Sequence, residues 1–403
     1  MSQSAFPIWR KPRHYMDDEG ASDHVHWVEL FFDLIHVVTI FLLGNFLSHH
    51  LDWQGFWVFT GLFLAIFYAW ADCSVYNSLY ISTDMTHRAV MAVQIVTMMV
   101  IAAAIPSVMG GGWAYFAFGY ALNRALTAYL YWRARSVGAE GSPLAHEQAR
   151  NFFILAAVFA VFAVSAFLAK PMAYWVFGTG VVMIQLQYML PRIGTLRFER
   201  FVPRLGHIAE RFGLLMLILL GEGFFKLVLT LADKGVYKVG AGTLFNLMMG
   251  GLSLFALAWI YFDGAGNARP RSRSNGVMLS YWLAHIAILW AAVMVGVALA
   301  GEVYVGLWEN YPTGYGAIGT VGLATFLGAL WVLQRLVEGR EITNRYHTGP
   351  VRAFGIGMAL LLLVLHPHVP ALIGNMIWGL AIFSQVAVPL YWAVRDMRGG
   401  VVG

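Results

Sequence analysis

Twelve apolar runs follow one another along the chain, at residues 28–47, 54–72, 89–109, 112–132, 151–169, 172–190, 211–232, 244–263, 277–300, 315–337, 351–366 and 371–393. A transmembrane helix needs about 20 mainly apolar residues to cover roughly 30 Å of hydrocarbon. Lipid offers no partners for backbone N–H and C=O groups, so each run has to close its hydrogen bonds within itself, as a helix. The expected fold is an all-α integral membrane protein of about twelve transmembrane helices. Composition agrees: 12% of the 403 residues are charged and 59% are hydrophobic. A soluble domain carries roughly 25% charged residues, and half that share would not cover a surface facing water. Only a Pro106-to-Gly112 turn separates the third and fourth runs, which therefore read as a helical hairpin. Pro367 and Pro370 end the short eleventh run.

The cations test the count. Of the 26 Lys and Arg, 21 fall on one side of the alternating spans, three (Lys170, Lys234 and Lys238) fall on the other, and Arg124 and Lys226 lie inside spans. Cytoplasmic loops collect Lys and Arg, so this bias places both termini of a multi-pass membrane protein in the cytoplasm. A missed or spurious span would scramble the alternation. The net charge of +5 is spread over short loops rather than gathered into a patch, which argues against a nucleic-acid partner. The first 27 residues are polar, with Pro7 and Pro12 and no apolar core, so no cleavable leader is expected and the first helix would serve as the insertion signal. A single cysteine, Cys73, rules out a disulfide within the chain.

Two halves resemble each other. Glu29-Leu30-Phe31 opens the first run and Glu210-Arg211-Phe212 the seventh. Tyr68-Ala69-Trp70-Ala71-Asp72 ends the second and Trp259-Ile260-Tyr261-Phe262-Asp263 the eighth, while Val90-Met91 and Val277-Met278 open the third and ninth. Six helices per half is an even number, so the halves would share orientation as parallel repeats. The expected organisation is a polar cytoplasmic segment 1–27, a first six-helix repeat 28–190, a cytoplasmic linker 191–210, a second repeat 211–393 and a cytoplasmic tail 394–403.

An ionised side chain at the bilayer centre costs about 2.5–3.5 kcal/mol on insertion scales, so each one inside a span faces the bundle interior and often marks a pathway. Glu29, Asp33 and His36 are spaced four and three apart and share one helix face. Two carboxylates one turn apart repel, which favours a bound proton or cation, with His36 as a proton partner. The bland alternative is an interfacial Glu29 and an Asp33 paired with an arginine. Arg124 is the natural counter-charge for Asp33 or Asp72. The seventh run carries Glu210, Arg211, Glu222 and Lys226, and the last two have helical pair spacing. Gly221 and Gly223 flank Glu222 and would let a neighbour approach. His285, one turn after Tyr281, reads more readily as a hydrogen-bonded core histidine than as a functional one. Gln94, Gln185, Gln187 and Gln385 could bridge helices. His49, His50, His366 and His368 do not have the spacing of a closed zinc site, and no cofactor is implied. The chain has no G-x-x-x-x-G-K-[ST] for ATP and no G-x-S-x-G or H-E-x-x-H.

The run Val28-Glu29-Leu30-Phe31-Phe32-Asp33-Leu34 resembles the E-L-F-F-D-L signature of the bacterial low temperature requirement A family. Glu210-Arg211-Phe212-Gly213 with Leu220-Gly221-Glu222 is similar to that family's E-R-F-G and L-G-E motifs, and the resemblance spans residues 25–393. It implies an inner-membrane protein named for growth in the cold, without a settled activity. Its motif positions here are Glu29, Phe31, Phe32, Asp33, Glu210, Arg211, Phe212, Gly221 and Glu222. His36 departs from the apolar residue expected at its place. A looser similarity, of architecture only, is to endolysosomal potassium channels with a Phe-Ser-Asp motif in the first helix of each repeat; Leu214 stands where the second acid would be.

The functional expectation is a secondary transporter or permeation protein for a small solute or ion. Glu29, Asp33 and Glu222 would bind the proton or cation, and Arg124 would balance or gate them. The lipid bilayer and the solute are the expected partners, and a homodimer is compatible with the sequence. Two other classes stay open: an intramembrane enzyme on a lipid or isoprenoid, with Glu222, His285 and Asp263 as acid and base groups, and a sensor or scaffold whose polar residues only hold helices together.

Overall fold

A computed structural model of the protein describes residues 7–17, 25–82, 84–137, 141–164, 169–189, 203–266, 268–339 and 348–399. Of the described residues, 83% are helical. The helices are α1 Trp27–His49, α2 Trp53–Leu79, α3 Met85–Ala104, α4 Gly112–Ala134, α5 Gly141–Val164, α6 Lys170–Met189, α7 Leu205–Lys234, α8 Ala241–Gly264, α9 Asn275–Glu302, α10 Thr313–Leu336, α11 Thr348–Leu365 and α12 Ala371–Gly399. Among the described residues nine of them, α1–α3 and α7–α12, are long and apolar enough to cross a membrane. The fold is thus that of an all-α membrane protein. Helices α4, α5 and α6 fall outside the nine: α4 carries Asn123, Arg124 and Arg133, and the first turns of α5 are polar. The linker expected at 191–210 lies outside the described residues as far as residue 202.

The chain divides into two compact units. Unit 1 comprises Met1–Phe46, Trp57–Arg211 and Arg273–Leu279; unit 2 comprises Leu47–Phe56, Phe212–Ser272 and Ser280–Gly403. In unit 1, α4 packs against both α3 and α5. In unit 2, α11 packs between α10 and α12, and α12 also meets α8.

Helix α1 shows the sidedness that lipid imposes. Glu29, Phe32, Asp33, His36 and Thr39 are buried, whereas Phe31, Leu34 and Val38 are exposed. Apolar side chains face outward and ionisable ones inward, the arrangement that avoids the cost of a charge in hydrocarbon. Helix α7 does likewise, with His207, Arg211 and Lys226 buried and Leu217, Phe225 and Val228 exposed. It starts at Leu205, one and a half turns before its apolar run, so Arg211 is a helix-interior residue rather than a loop cation. Arg352, also counted among the loop cations, is buried in the first turns of α11. Gly235 ends α7 with φ at +80°, a conformation that only glycine adopts without strain.

The polar amino-terminal segment is an integral part of unit 1. Strand β1, Arg13–His14, pairs antiparallel with β2, Tyr80–Ile81. The first N–H groups of a helix have no intrahelical acceptors. In α3 these are satisfied from the segment: Met85 N donates to Pro7 O at 3.2 Å and Thr86 N to Ile8 O at 3.1 Å. Asp84 caps the same helix, accepting from His87 N at 3.1 Å, and also holds Arg133 Nη2 at 2.6 Å and Arg10 N at 2.8 Å.

In unit 2, α9 and α10 approach through small residues. A Cβ placed on Gly322 would stand 3.1 Å from Ala291 O, and one on Gly319 would stand 2.8 Å from Ala298 Cβ. Close approach of this kind is how helices associate where lipid removes the hydrophobic driving force. Gly322→Val is expected to cost about 1–3 kcal/mol, the usual penalty of overpacking, read as a lower melting temperature of the detergent-solubilised protein.

Candidate functional site

Unit 1 holds a buried ion network built from α1, α2 and α7. One turn of α1 separates Glu29 from Asp33, and one turn of α7 separates His207 from Arg211. These two faces meet. Arg211 Nη1 donates to Glu29 Oε2 at 2.9 Å, and Arg211 Nη2 donates to Asp33 Oδ1. The planar guanidinium forks between two carboxylates on successive turns, a geometry that lysine could not reproduce. His207 Nε2 lies 3.2 Å from Glu29 Oε2. From α2, Trp70 Nε1 donates to Asp33 Oδ1 at 2.7 Å, and its ring lies 5.5 Å from the Arg211 guanidinium. Asp33 and Arg211 are both 0% exposed. Asp33 Oδ2 is buried without a hydrogen-bond partner, as is Nε2 of His36 one turn further along α1. His36 Nδ1 is bonded to Phe32 O at 2.7 Å.

Among the described residues Glu29 and Asp33 present two carboxylates to one guanidinium, with His207 as the other basic side chain against Glu29; a neutral interior needs one more positive charge than Arg211 supplies. A proton on His207 or on a carboxylate supplies it, and so does a small cation at Asp33 Oδ2.

Among the described residues of unit 1, Arg124 forms a separate pair. Arg124 Nη2 donates to Asp72 Oδ2 at 2.5 Å and Arg124 Nη1 to Tyr68 O at 3.4 Å, with the guanidinium 4.8 Å over the Phe152 ring. Of the two acids the sequence offered to Arg124, the structure selects Asp72; the balancing partner of Glu29 and Asp33 is Arg211. Gln94 Nε2 bridges α3 to α4 by donating to Thr127 Oγ1 at 2.9 Å. Gln185 and Gln187 have side chains outside the described residues. Glu210 is half-buried.

The remaining candidates belong to unit 2. Glu222 is half-buried with Oε1 lacking a hydrogen-bond partner, and Lys226 is buried. Of the flanking glycines only Gly223 meets a neighbour, since a Cβ there would stand 2.9 Å from Leu254 Cδ1, while Gly221 faces open space. His285 is buried, bonded through Nδ1 to Tyr281 O at 2.8 Å and stacked on Phe212 at 4.1 Å. That is the geometry of a core histidine. Asp263 lines a cavity whose walls include neither Glu222 nor His285. Among the described residues no group of three His, Cys, Asp or Glu is arranged to hold a metal.

Sequence reasoning missed His207, because an apolar window excludes it from the seventh run, although its spacing of four from Arg211 was readable. It also passed over Trp70 and Asp84, and it placed Arg352 in a loop.

Among the described residues nine apolar helices and ionisable side chains turned inward define a helical membrane protein with a buried network of charged groups. Residues 24–393 match the family described as Bacterial low temperature requirement A protein (LtrA). The chain belongs to that family. A comparison with curated proteins found no match.

Proposed function

We propose that the chain is a secondary transporter or permeation protein for a small solute or ion, and that Glu29, Asp33, Arg211 and His207 form its proton- or cation-exchanging core. The observation that carries this reading is a pair of buried carboxylates that share one guanidinium and a histidine among the described residues. A network built only to hold helices together has no reason to keep an unbalanced charge, because dry interiors penalise it by several kcal/mol. A site that loads and releases a proton or cation needs that imbalance. Twelve spans in two parallel six-helix repeats, with both termini in the cytoplasm of a bacterial inner membrane, complete the reading. It is supported by the skew of Lys and Arg toward one side.

Flux measurements in proteoliposomes test it. With a pH-sensitive dye inside and an imposed potassium or sodium gradient, the wild-type protein is expected to move protons or the cation above the empty-liposome background. Asp33→Asn and His207→Gln are expected to return flux to background while the protein stays folded. Folded wild-type protein that shows no flux under proton, sodium or potassium gradients overturns the proposal. Parallel loss of stability and function in both variants would favour the scaffold reading instead.

A further inference from the structure

Unit 2 contains a cavity of about 350 Å³ walled by the carboxyl-terminal end of α8, the last turn of α10, the first turns of α11 and the later part of α12. Its polar walls are Asp263, Gln334, Thr348, Arg352 and Gln385, with Trp259 beside Asp263. Arg352 is 2% exposed, and its guanidinium makes one hydrogen bond, Nη1 to Gln385 Oε1 at 2.7 Å. Gln385 is held in turn by Val351 O and Ala381 O, each 2.9 Å from its Nε2. Arg352 Nε is buried without a hydrogen-bond partner, and among the described residues no carboxylate lies within ion-pair distance of this arginine. Gln334, 4% exposed, has an Oε1 that is likewise buried and unpartnered. Asp263 is exposed, with Oδ2 accepting from Trp259 Nε1 at 2.5 Å.

Among the described residues this buried guanidinium has only a neutral amide for company and no counter-charge. Its open N–H groups match the geometry of a carboxylate or phosphate oxyanion. The other polar groups, the unpartnered Gln334 Oε1 and the Asp263 carboxylate that already takes Trp259 Nε1, are acceptors. They call for a donor and repel a plain anion. A volume near 350 Å³ is that of a small-molecule site.

We infer that this cavity binds a small zwitterion, its oxyanion on Arg352 and its ammonium group toward Gln334 and Asp263. Two sources share that chemistry: the phosphoethanolamine headgroup of a membrane lipid, and a free solute such as an amino acid or O-phosphoethanolamine. The inference does not depend on transport.

Equilibrium binding to the full-length, lipid-depleted protein in detergent tests it, with glycine, O-phosphoethanolamine, inorganic phosphate and ethanolamine as probes. A second arm uses native mass spectrometry of protein from nanodiscs holding phosphatidylethanolamine or phosphatidylglycerol. A water-soluble zwitterion binding about tenfold or more tightly than phosphate and ethanolamine supports the free-solute source. Selective retention of phosphatidylethanolamine supports the headgroup source. In either case R352Q is expected to weaken binding by at least about thirtyfold, and D263N to erase the preference for the zwitterion over the matching anion. D263N alters an exposed residue, so it decides the matter even where R352Q fails to fold. Phosphate or phosphatidylglycerol binding as well as the zwitterion, an unchanged preference in D263N, or no binding in either arm overturns the inference.

Discussion

Arg211→Gln is expected to be the most damaging single substitution in unit 1. It strips the guanidinium from two carboxylates that are buried at the same point, Glu29 and Asp33. Breaking a buried ion pair by removing one partner costs about 3–5 kcal/mol, because the other charge stays behind without compensation. Here two charges stay behind, so the upper end applies. Arg211→Lys keeps the charge but loses the two-pronged reach, and an intermediate loss is expected. The double substitution Asp33→Asn with Arg211→Gln should be less destabilised than Arg211→Gln alone, since it removes one of the stranded carboxylates. Thermal unfolding of the detergent-solubilised proteins measures all three. A melting temperature for Arg211→Gln no lower than that of Arg395→Gln, on the exposed end of α12, would refute the claim that this network is sealed from water.

Asp84→Ala should come close to it. One carboxylate caps α3, pairs with Arg133 and fastens the backbone of Arg10. Loss of a cap costs about 1 kcal/mol, and stranding Arg133, 3% exposed, adds a penalty of about 3–5 kcal/mol. The amino-terminal segment should also come loose, so limited proteolysis is expected to cut near Arg10 and Lys11 in the variant far faster than in the wild type. Equal cutting rates would mean that the Pro7 and Ile8 contacts to α3 suffice to hold the segment.

Much of the helical pattern was readable because lipid demands long apolar runs, and those leave plain traces. The spacing of Glu29, Asp33 and His36 put all three on one face, and all three are buried. What could not be read was their partner. Arg211 stands 178 residues from Asp33 in the chain, and nothing local ties them. The apolar window also misplaced the start of α7, since charged residues lower its average even when they point into the protein. For the same reason His207 looked like a loop residue. Arg124 illustrates a half-legible case: the need for a counter-acid was clear, but both Asp33 and Asp72 satisfied it on paper, and only packing on Tyr68 and Phe152 decides for Asp72. Asp84 could not be singled out, because its three partners lie on three separate stretches of chain.

The docking of the amino-terminal segment sets an order of events during synthesis. Residues 7–14 leave the ribosome before any helix, yet their partners are Tyr80, Ile81, Asp84 and, 123 residues after Arg10, Arg133 at the end of α4. Residues 7–14 therefore wait, undocked, until α1 to α4 have been made. Bulky fusions at that end would compete with the closing step of biogenesis, whereas the same fusion after α12 would leave it alone.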